Sequence, residues 1–383
     1  MERGNVLVIG NSGVGKSTLI NAVLGEKVAE TSWGTTGTTK ELKTYENEEV
    51  PFRIIDTVGF EPSFFKEVTA INAVKKWSKD AAKNGEDDKK INTIWFCVDG
   101  TSRKLFAKTI KDLSLATKIW ESVPIIVVIT KSYSVPERKE NIQMVQNAFA
   151  KQKISKNLYD VIPVVASTYV LNDTAFAAPE GIAELIDITN NCLPEGIKAA
   201  DRDINTFKLK RKNVLSQSLI GTVTTAGVVV GAIPIPFADA AILTPIEIAE
   251  VNALAGIYEI GKSEESKNFI NSIIEVGTVG TAAKALISAI KAIPGINIAG
   301  AVLNAVIAGS IVCTIGETSR YLFEQVYLGK KTVDDIDWAK KILESKLANE
   351  TMDKIKEVIE QVSQNSDNKS IAEIVAKVFI KNR

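Results

Sequence analysis

Five short apolar runs punctuate the first half of the chain: Val6 to Ile9, Phe52 to Ile55, Ile94 to Val98, Ile125 to Ile129 and Ile162 to Val165. They are rich in Val and Ile and lack polar alternation, the pattern of parallel strands covered on both faces. Helical patterns lie between and after them, over Lys16 to Leu24, Phe64 to Lys83, Leu105 to Ser122, Arg138 to Gln152 and Glu180 to Cys192. Strands alternating with helices predict an α/β unit with a mostly parallel, doubly wound sheet.

The second half reads differently. A charged stretch, Ala199 to Asn213, gives way to Ala, Gly, Ile, Val and Thr, and no charge occurs from Asn213 to Ala238 or from Ala292 to Gly316. Each stretch exceeds the roughly 20 residues that span a bilayer. Both are broken at Ile-Pro, at Ile233-Pro234 and Ile293-Pro294, which suggests either a weak duplication of helical hairpins or the chance similarity of two Ala-rich segments. From Thr332 on, Trp338, Ile342, Met352, Ile355, Ile359 and Val362 recur at helical spacing, SQNSDNKS interrupts, and Ile371, Ile374, Val375 and Val378 mark a last short helix. The expected organisation is residues 1–198, a linker over 199–212, an all-α apolar domain over 213–330 and amphipathic helices over 331–383.

Composition narrows the chemistry. The 383 residues suffice for two domains, and 46 basic residues balance 46 acidic ones, so no basic footprint supports nucleic acid. DNA is not expected; an RNA or ribosomal partner is left open without support. The three cysteines, Cys97, Cys192 and Cys313, suit a reducing compartment and make neither a disulfide framework nor a metal cluster. Histidine is absent, which removes His-based acid/base catalysis and most zinc chemistry. The N-terminus enters a strand without a leader-like apolar segment, so the expected location is cytoplasmic or peripheral on the cytoplasmic side of a membrane.

GNSGVGKST, Gly10 to Thr18, follows the first strand and opens a helix. It fits Gly-x-x-x-x-Gly-Lys-Ser, in which backbone amides wrap phosphate oxygens, the lysine charge meets the outer phosphates and the serine hydroxyl ligates Mg²⁺. Asn11, Ser12, Gly13, Val14, Gly15, Lys16, Ser17 and Thr18 are therefore candidate nucleotide contacts, and Ser17 a metal ligand. One strand later, Asp56-Thr57-Val58-Gly59 supplies a carboxylate for the metal and, at Gly59, an amide for the γ-phosphate. Between them the Thr/Gly-rich loop Ser32 to Leu42 offers Thr38 or Thr39 as the metal-sensing hydroxyl. Lys16, Thr38, Thr39 and Gly59 form the candidate catalytic set.

These motifs, with TKSY at Thr130 to Tyr133 and PVVAS at Pro163 to Ser167, resemble the Ras-like G domain, and GTTGTTKEL resembles its Era-like bacterial branch. The resemblance covers Asn5 to Cys192. It implies a P-loop GTPase domain that binds GTP and GDP with Mg²⁺. By position, it puts Thr130 and Lys131 against the base and Ala166 and Ser167 beside it. Two residues depart from the pattern. Phe60 stands where a Ras-type switch has its catalytic glutamine, which predicts slow intrinsic hydrolysis unless Glu61, a cation or a partner completes the site. Tyr133 replaces the carboxylate that reads guanine, a loss of about 1.5–3 kcal/mol, or roughly ten- to a hundredfold in preference. The Ala166-Ser167 backbone remains, with Ser132, Ser134 or Glu137 as substitutes, so GTP is still expected over ATP.

Asn213 to Gly329, through IPIPFAD and AVIAG…IGE, resembles the YcjF-like helical domain that follows many bacterial G domains and is often described as membrane-associated. Gly227, Gly231, Ala301, Ala305 and Gly309 place small residues four apart, which permits close helix contact in a bilayer or a soluble bundle. Asp239, Glu247 and Glu250 weigh against spanning, since each ionised carboxylate would cost about 2.5–3.5 kcal/mol at a bilayer centre. The expectation is an Mg²⁺-dependent GTP-hydrolysing switch that controls an apolar helical domain for membrane binding or self-association. The alternatives are a ribosome- or RNA-associated assembly GTPase and a pseudo-GTPase scaffold.

Overall fold

The computed structural model describes residues 3–11, 13–25, 29–31, 42–46, 51–57, 90–102, 110–111, 114, 122–153, 155–172, 175–194, 201–233, 239–261, 263–279, 300–362 and 366–380. These residues fall into two contact groups, one of residues 1–167 and 179–211 and one of 168–178 and 212–383.

The apolar runs of the first group build one sheet. Its strands are β1 (Gly4–Ile9), β2 (Ala29–Thr31), β3 (Leu42–Glu46), β4 (Phe52–Thr57), β5 (Ile91–Asp99), β6 (Ile125–Thr130) and β7 (Leu158–Pro163), in the order β2-β3-β4-β1-β5-β6-β7. The five strands β4, β1, β5, β6 and β7 are parallel, while β3 runs against β4 and β2 against β3. Every residue of β1 and β6 is buried, as expected of central parallel strands whose Val and Ile side chains are covered on both faces. Among the described residues, helices α1 (Lys16–Leu24), α2 (Val135–Ala150) and α3 (Ile182–Cys192) follow strands or their loops. Phe149 of α2 packs with Phe96, Val127 and Ile129 in the main core. Trp95 of β5 meets Phe52 edge-on at 5.7 Å and donates from Nε1 to the Thr189 hydroxyl of α3 at 2.9 Å, so its one polar atom is satisfied inside the core.

Some elements differ from the sequence expectation. The last strand starts at Leu158, earlier than the run from Ile162, because an edge strand tolerates exposed Tyr159 and Asp160. Val164 and Val165 leave its ladder: the Val164 amide donates to Ile129 O at 2.8 Å and Val165 forms an isolated antiparallel bridge with Glu180. β2 and β3, too short to register as apolar runs, extend the sheet antiparallel. The expected helix over 64–83 lies outside the described residues; of the one over 105–122, Ile110, Lys111 and Ser114 are helical.

The second group is helical. The charged stretch read as a linker is helical from Asp201 and continues without a break as α4 (Asp201–Gly231), the group boundary falling after Arg211. The others are α5 (Asp239–Ile257), α6 (Glu264–Val279), α7 (Gly300–Tyr327), α8 (Ile336–Ser345), α9 (Thr351–Gln361) and α10 (Asn368–Phe379), with a π-helical turn over Lys346–Glu350. A small hairpin, β8 (Tyr169–Asn172) with β9 (Ala175–Ala177), belongs to this group by its packing on α5.

α7 is the centre of the bundle. Every residue from Ala305 to Gly316 is buried, and α5, α8, α9 and α10 pack around it. The two small-residue stripes meet each other: a Cβ on Gly231 would lie 2.5 Å from the Ala308 Cβ, and one on Gly309 would lie 2.4 Å from Val228 Cγ2. α4 from Ile204 and α7 are long and apolar enough to cross a membrane by length and composition, yet 67% of the apolar window of α7 is already buried by protein. At one end of the bundle the Asn213 side-chain oxygen accepts from the Tyr258 hydroxyl at 2.6 Å and from Arg320 Nη1 at 3.0 Å, tying α4 to the end of α5 and to α7.

Candidate functional site

The phosphate-loop motif occupies the turn between β1 and α1. Gly13 (φ 77°) and Gly15 (φ 99°) adopt left-handed backbone that a side chain would strain, which lets the loop curl back over its own start. Gly10 is required for another reason: a Cβ there would lie 2.6 Å from the Cys97 carbonyl oxygen of the neighbouring strand. Lys16 Nζ donates to the carbonyls of Gly10 (2.8 Å) and Asn11 (3.1 Å), so its charge is held across the mouth of the loop. Ser17 and Thr18 are exposed in the first turn of α1, where amides have no acceptor within the helix and the helix dipole is positive. Together these features make a cradle for an anion.

Asp56 sits near the end of β4, in register with Val8 of β1 and buried at 5% exposure. Its relation to Lys16 is read from the strand on the other side of β1. Burial pushes the Cys97 thiol of β5 up to about 12, Lys16 pulls against that rise and Asp56 adds to it. A lysine from the loop and a carboxylate from β4 therefore lie within electrostatic reach of one thiol. Ser17 and Asp56 are both hard oxygen donors, the ligand chemistry that Mg²⁺ takes.

TKSY closes the other side. The Thr130 hydroxyl is shared between the carbonyls of Val14 in the loop and Val98 of β5. Lys131, at φ 53°, donates from Nζ to Gly13 O and to Asp99 Oδ2, both at 2.7 Å. Thr130 and Lys131, the residues expected to pack against the base, thus also grip the phosphate loop. Ser132, one of the residues considered as a substitute base reader, is 3% exposed and spends its hydroxyl on Ile129 O at 2.7 Å. Arg138 Nε donates to Ser132 O at 2.9 Å and its Nη1 pairs with Glu180 at 2.7 Å, which fixes the turn from outside. Tyr133 is half-buried, with its amide donating to Lys131 O at 2.8 Å. Ala166 is half-buried and Ser167 exposed, just past the Val165–Glu180 bridge.

Asp56 and Thr130 are thus carried by strands, Lys131 by the loop after β6, and Lys16 and Ser17 by the first turn of α1. Ser12, Thr38, Thr39 and Gly59, with Phe60 and Glu61, lie outside the described residues. The residue that sequence reasoning passed over is Asp99, the last of β5. Its signal was an Asp-Gly-Thr at the carboxyl end of a central strand, the edge at which parallel sheets bind ligands.

Residues 5–131 match the family described as 50S ribosome-binding GTPase. GTPase Era of Vibrio vulnificus is 28% identical over 165 residues, which cover 43% of this chain and 46% of that protein. GTPase Era of Cronobacter sakazakii is 28% identical over 210 residues, 54% of this chain and 61% of that one. The chain therefore spans about half the length of the curated relatives it matches. A solved structure of Era from Aquifex aeolicus bound to GDP and AlF4 is 22% identical, covers 56% of this chain and 68% of that one, and has a TM-score of 0.30, too low to bear on the fold.

Proposed function

We propose that this chain, whose first unit is an Era-like G domain, is an Mg²⁺-dependent GTP-binding and GTP-hydrolysing switch that acts through its apolar helical unit. The observation that carries this reading is the double grip on the phosphate loop: Lys16 spans its mouth, and Thr130 and Lys131 hold Val14 and Gly13 from the base side.

The donor set fits a magnesium ion, with Ser17 and Asp56 as the described residues that would hold it and Thr38 or Thr39 as the sensing hydroxyl. When bound, the ion would supply charge neutralisation on the phosphate oxygens. Lys16 would supply its charge to the outer phosphates, the first turn of α1 would offer amides, and the Gly59 amide would sense the γ-phosphate. Hydrolysis is slow in this reading, since Phe60 offers no side chain to orient water. The output is membrane association on the cytoplasmic side or self-association. This is supported by two helices of membrane-crossing length and by a close small-residue contact between α4 and α7.

Binding of fluorescent GDP in Mg²⁺ tests the reading. Wild type is expected to bind and Lys16→Ala to lose binding; retained micromolar affinity in the variant contradicts the assignment of the phosphate site. Turnover with and without liposomes and potassium then separates a working switch from a nucleotide-binding scaffold.

A second reading, a ribosome-associated GTPase, is favoured by the family description alone. It predicts salt-sensitive co-sedimentation with large ribosomal subunits. The zero net charge of the chain gives it no electrostatic support.

A further inference from the structure

Asp99 has no part in the motifs above, yet it is the acid bonded to Lys131. Its Oδ2 accepts from Lys131 Nζ at 2.7 Å, while Oδ1 accepts from the Thr101 amide at 2.9 Å and the Thr101 hydroxyl at 2.7 Å. We propose that Asp99 is a positioning residue of the nucleotide site, holding the Lys131 side chain between the base-side loop and the phosphate loop.

Three observations carry this. Lys131 is one of two described non-glycine residues with positive φ. Such a conformation is strained and persists only where the surroundings over-determine it. The surroundings do so here: the Gly100 amide donates to Thr130 O at 2.8 Å, and a Cβ on Gly100 would lie 2.8 Å from that same oxygen, so Asp99-Gly100 and Thr130-Lys131 are locked side by side. The Lys131 stem then passes over the phosphate loop, its Cε 3.9 Å from where a Cβ on Gly15 would stand, before the ammonium reaches Gly13 O.

The carboxylate itself is held, not free to wander. Burial raises the Asp99 carboxyl, but the hydrogen bonds from Lys131 and from the Thr101 side chain and amide outweigh it and keep the group below the usual carboxylate value. It stays ionised at neutral pH. Its effect is on where Lys131 lies, and so on affinity for the base end of a nucleotide.

The inference rests on the GTP-binding reading, and the test keeps the two apart. Calorimetric titrations of the full chain with GDP and, separately, with Mg²⁺-pyrophosphate would be compared for wild type, Asp99→Asn, Lys131→Met and the double variant. Asp99→Asn is expected to weaken GDP about five- to tenfold, the range for a partly exposed charged hydrogen bond, and to weaken pyrophosphate less, through the Lys131–Gly13 contact alone. The double variant is expected to match Lys131→Met, since Asp99 acts through that lysine. Equal weakening of pyrophosphate, additive losses in the double variant, or unchanged GDP affinity in Asp99→Asn each overturn the proposal. If wild type fails to bind GDP, the nucleotide reading itself falls. If Asp99→Asn does not fold, Thr101→Ala, which removes one of the two hydrogen bonds to Oδ1 and keeps the amide bond, is expected to weaken GDP about threefold; no change there overturns the proposal as well.

Discussion

The Thr130 hydroxyl donates to the Val14 carbonyl across 116 residues of sequence, joining the end of β6 to the middle of the phosphate loop. Thr130 is 2% exposed, so the bond is dry and its loss is not made good by water. Thr130→Val keeps the volume and removes the donor. It is expected to cost about 1–2 kcal/mol in stability, measured by urea denaturation, and to weaken GDP binding about tenfold. Unchanged GDP affinity would show that the loop keeps its shape without this tie.

Gly10 limits the loop from below. A Cβ at that position would meet the Cys97 carbonyl at 2.6 Å and the Cys97 Cβ at 3.0 Å, and a backbone carbonyl in a central strand does not give way. Gly10→Ala is expected to shift the loop and lower GDP affinity at least about thirtyfold, with a melting temperature within a few degrees of wild type. Titration and thermal melting on the same preparation check both halves.

The helical unit has its own close contact. A Cβ on Gly316 of α7 would lie 2.3 Å from the Glu250 Oε1 and 2.9 Å from Ile220 Cγ1. Gly316→Ala is therefore expected to destabilise the unit by about 1–3 kcal/mol while GDP affinity is unchanged. A denaturation curve read by far-ultraviolet circular dichroism gives the stability. A neutral result would mean that the Glu250 side chain repacks freely.

Glu250 also predicts a pH dependence. It is fully buried on α5, and among the described residues neither carboxyl oxygen has a hydrogen-bond partner. Burial, then the nearby Glu247 and Glu317, push its pKa well above the ordinary value, and burial pushes Glu247 up to about 7. A carboxyl whose folded pKa is raised binds its proton more tightly folded than unfolded, so stability falls as pH rises from the unfolded value near 4.5 through the folded one. The denaturation midpoint of the helical unit is expected to drop as pH rises from about 4.5 through about 7 and above, and Glu250→Gln to flatten that slope. A slope that Glu250→Gln leaves unchanged would assign it to other groups.

The sheet was legible because central parallel strands are buried on both faces and must be apolar throughout. β2 and β3 were not legible: short strands on the antiparallel side carry residues such as Lys43 and Glu46 and break the run. The hairpin β8–β9 carried a turn signal at Asn172-Asp173 between β-branched and aromatic residues, but it sat beside the stronger PVVAS pattern. The phosphate loop reads from sequence because its chemistry is contiguous. Asp99 does not, because it meets Lys131 across 32 residues and only the pairing of β5 with β6 brings them together. Glu247 and Glu250 argued from sequence against a spanning α5, and the structure places both inside the helical bundle, 4% and 0% exposed.

The most direct test of the central claim is an equilibrium titration of the purified chain with fluorescent GDP in Mg²⁺, competed by unlabelled GTP, GDP and ATP. Displacement by the guanine nucleotides at least about tenfold better than by ATP is the predicted result, on the expectation that the Ala166-Ser167 backbone still reads guanine despite Tyr133. Equal displacement by ATP, or no binding of GDP, would contradict it.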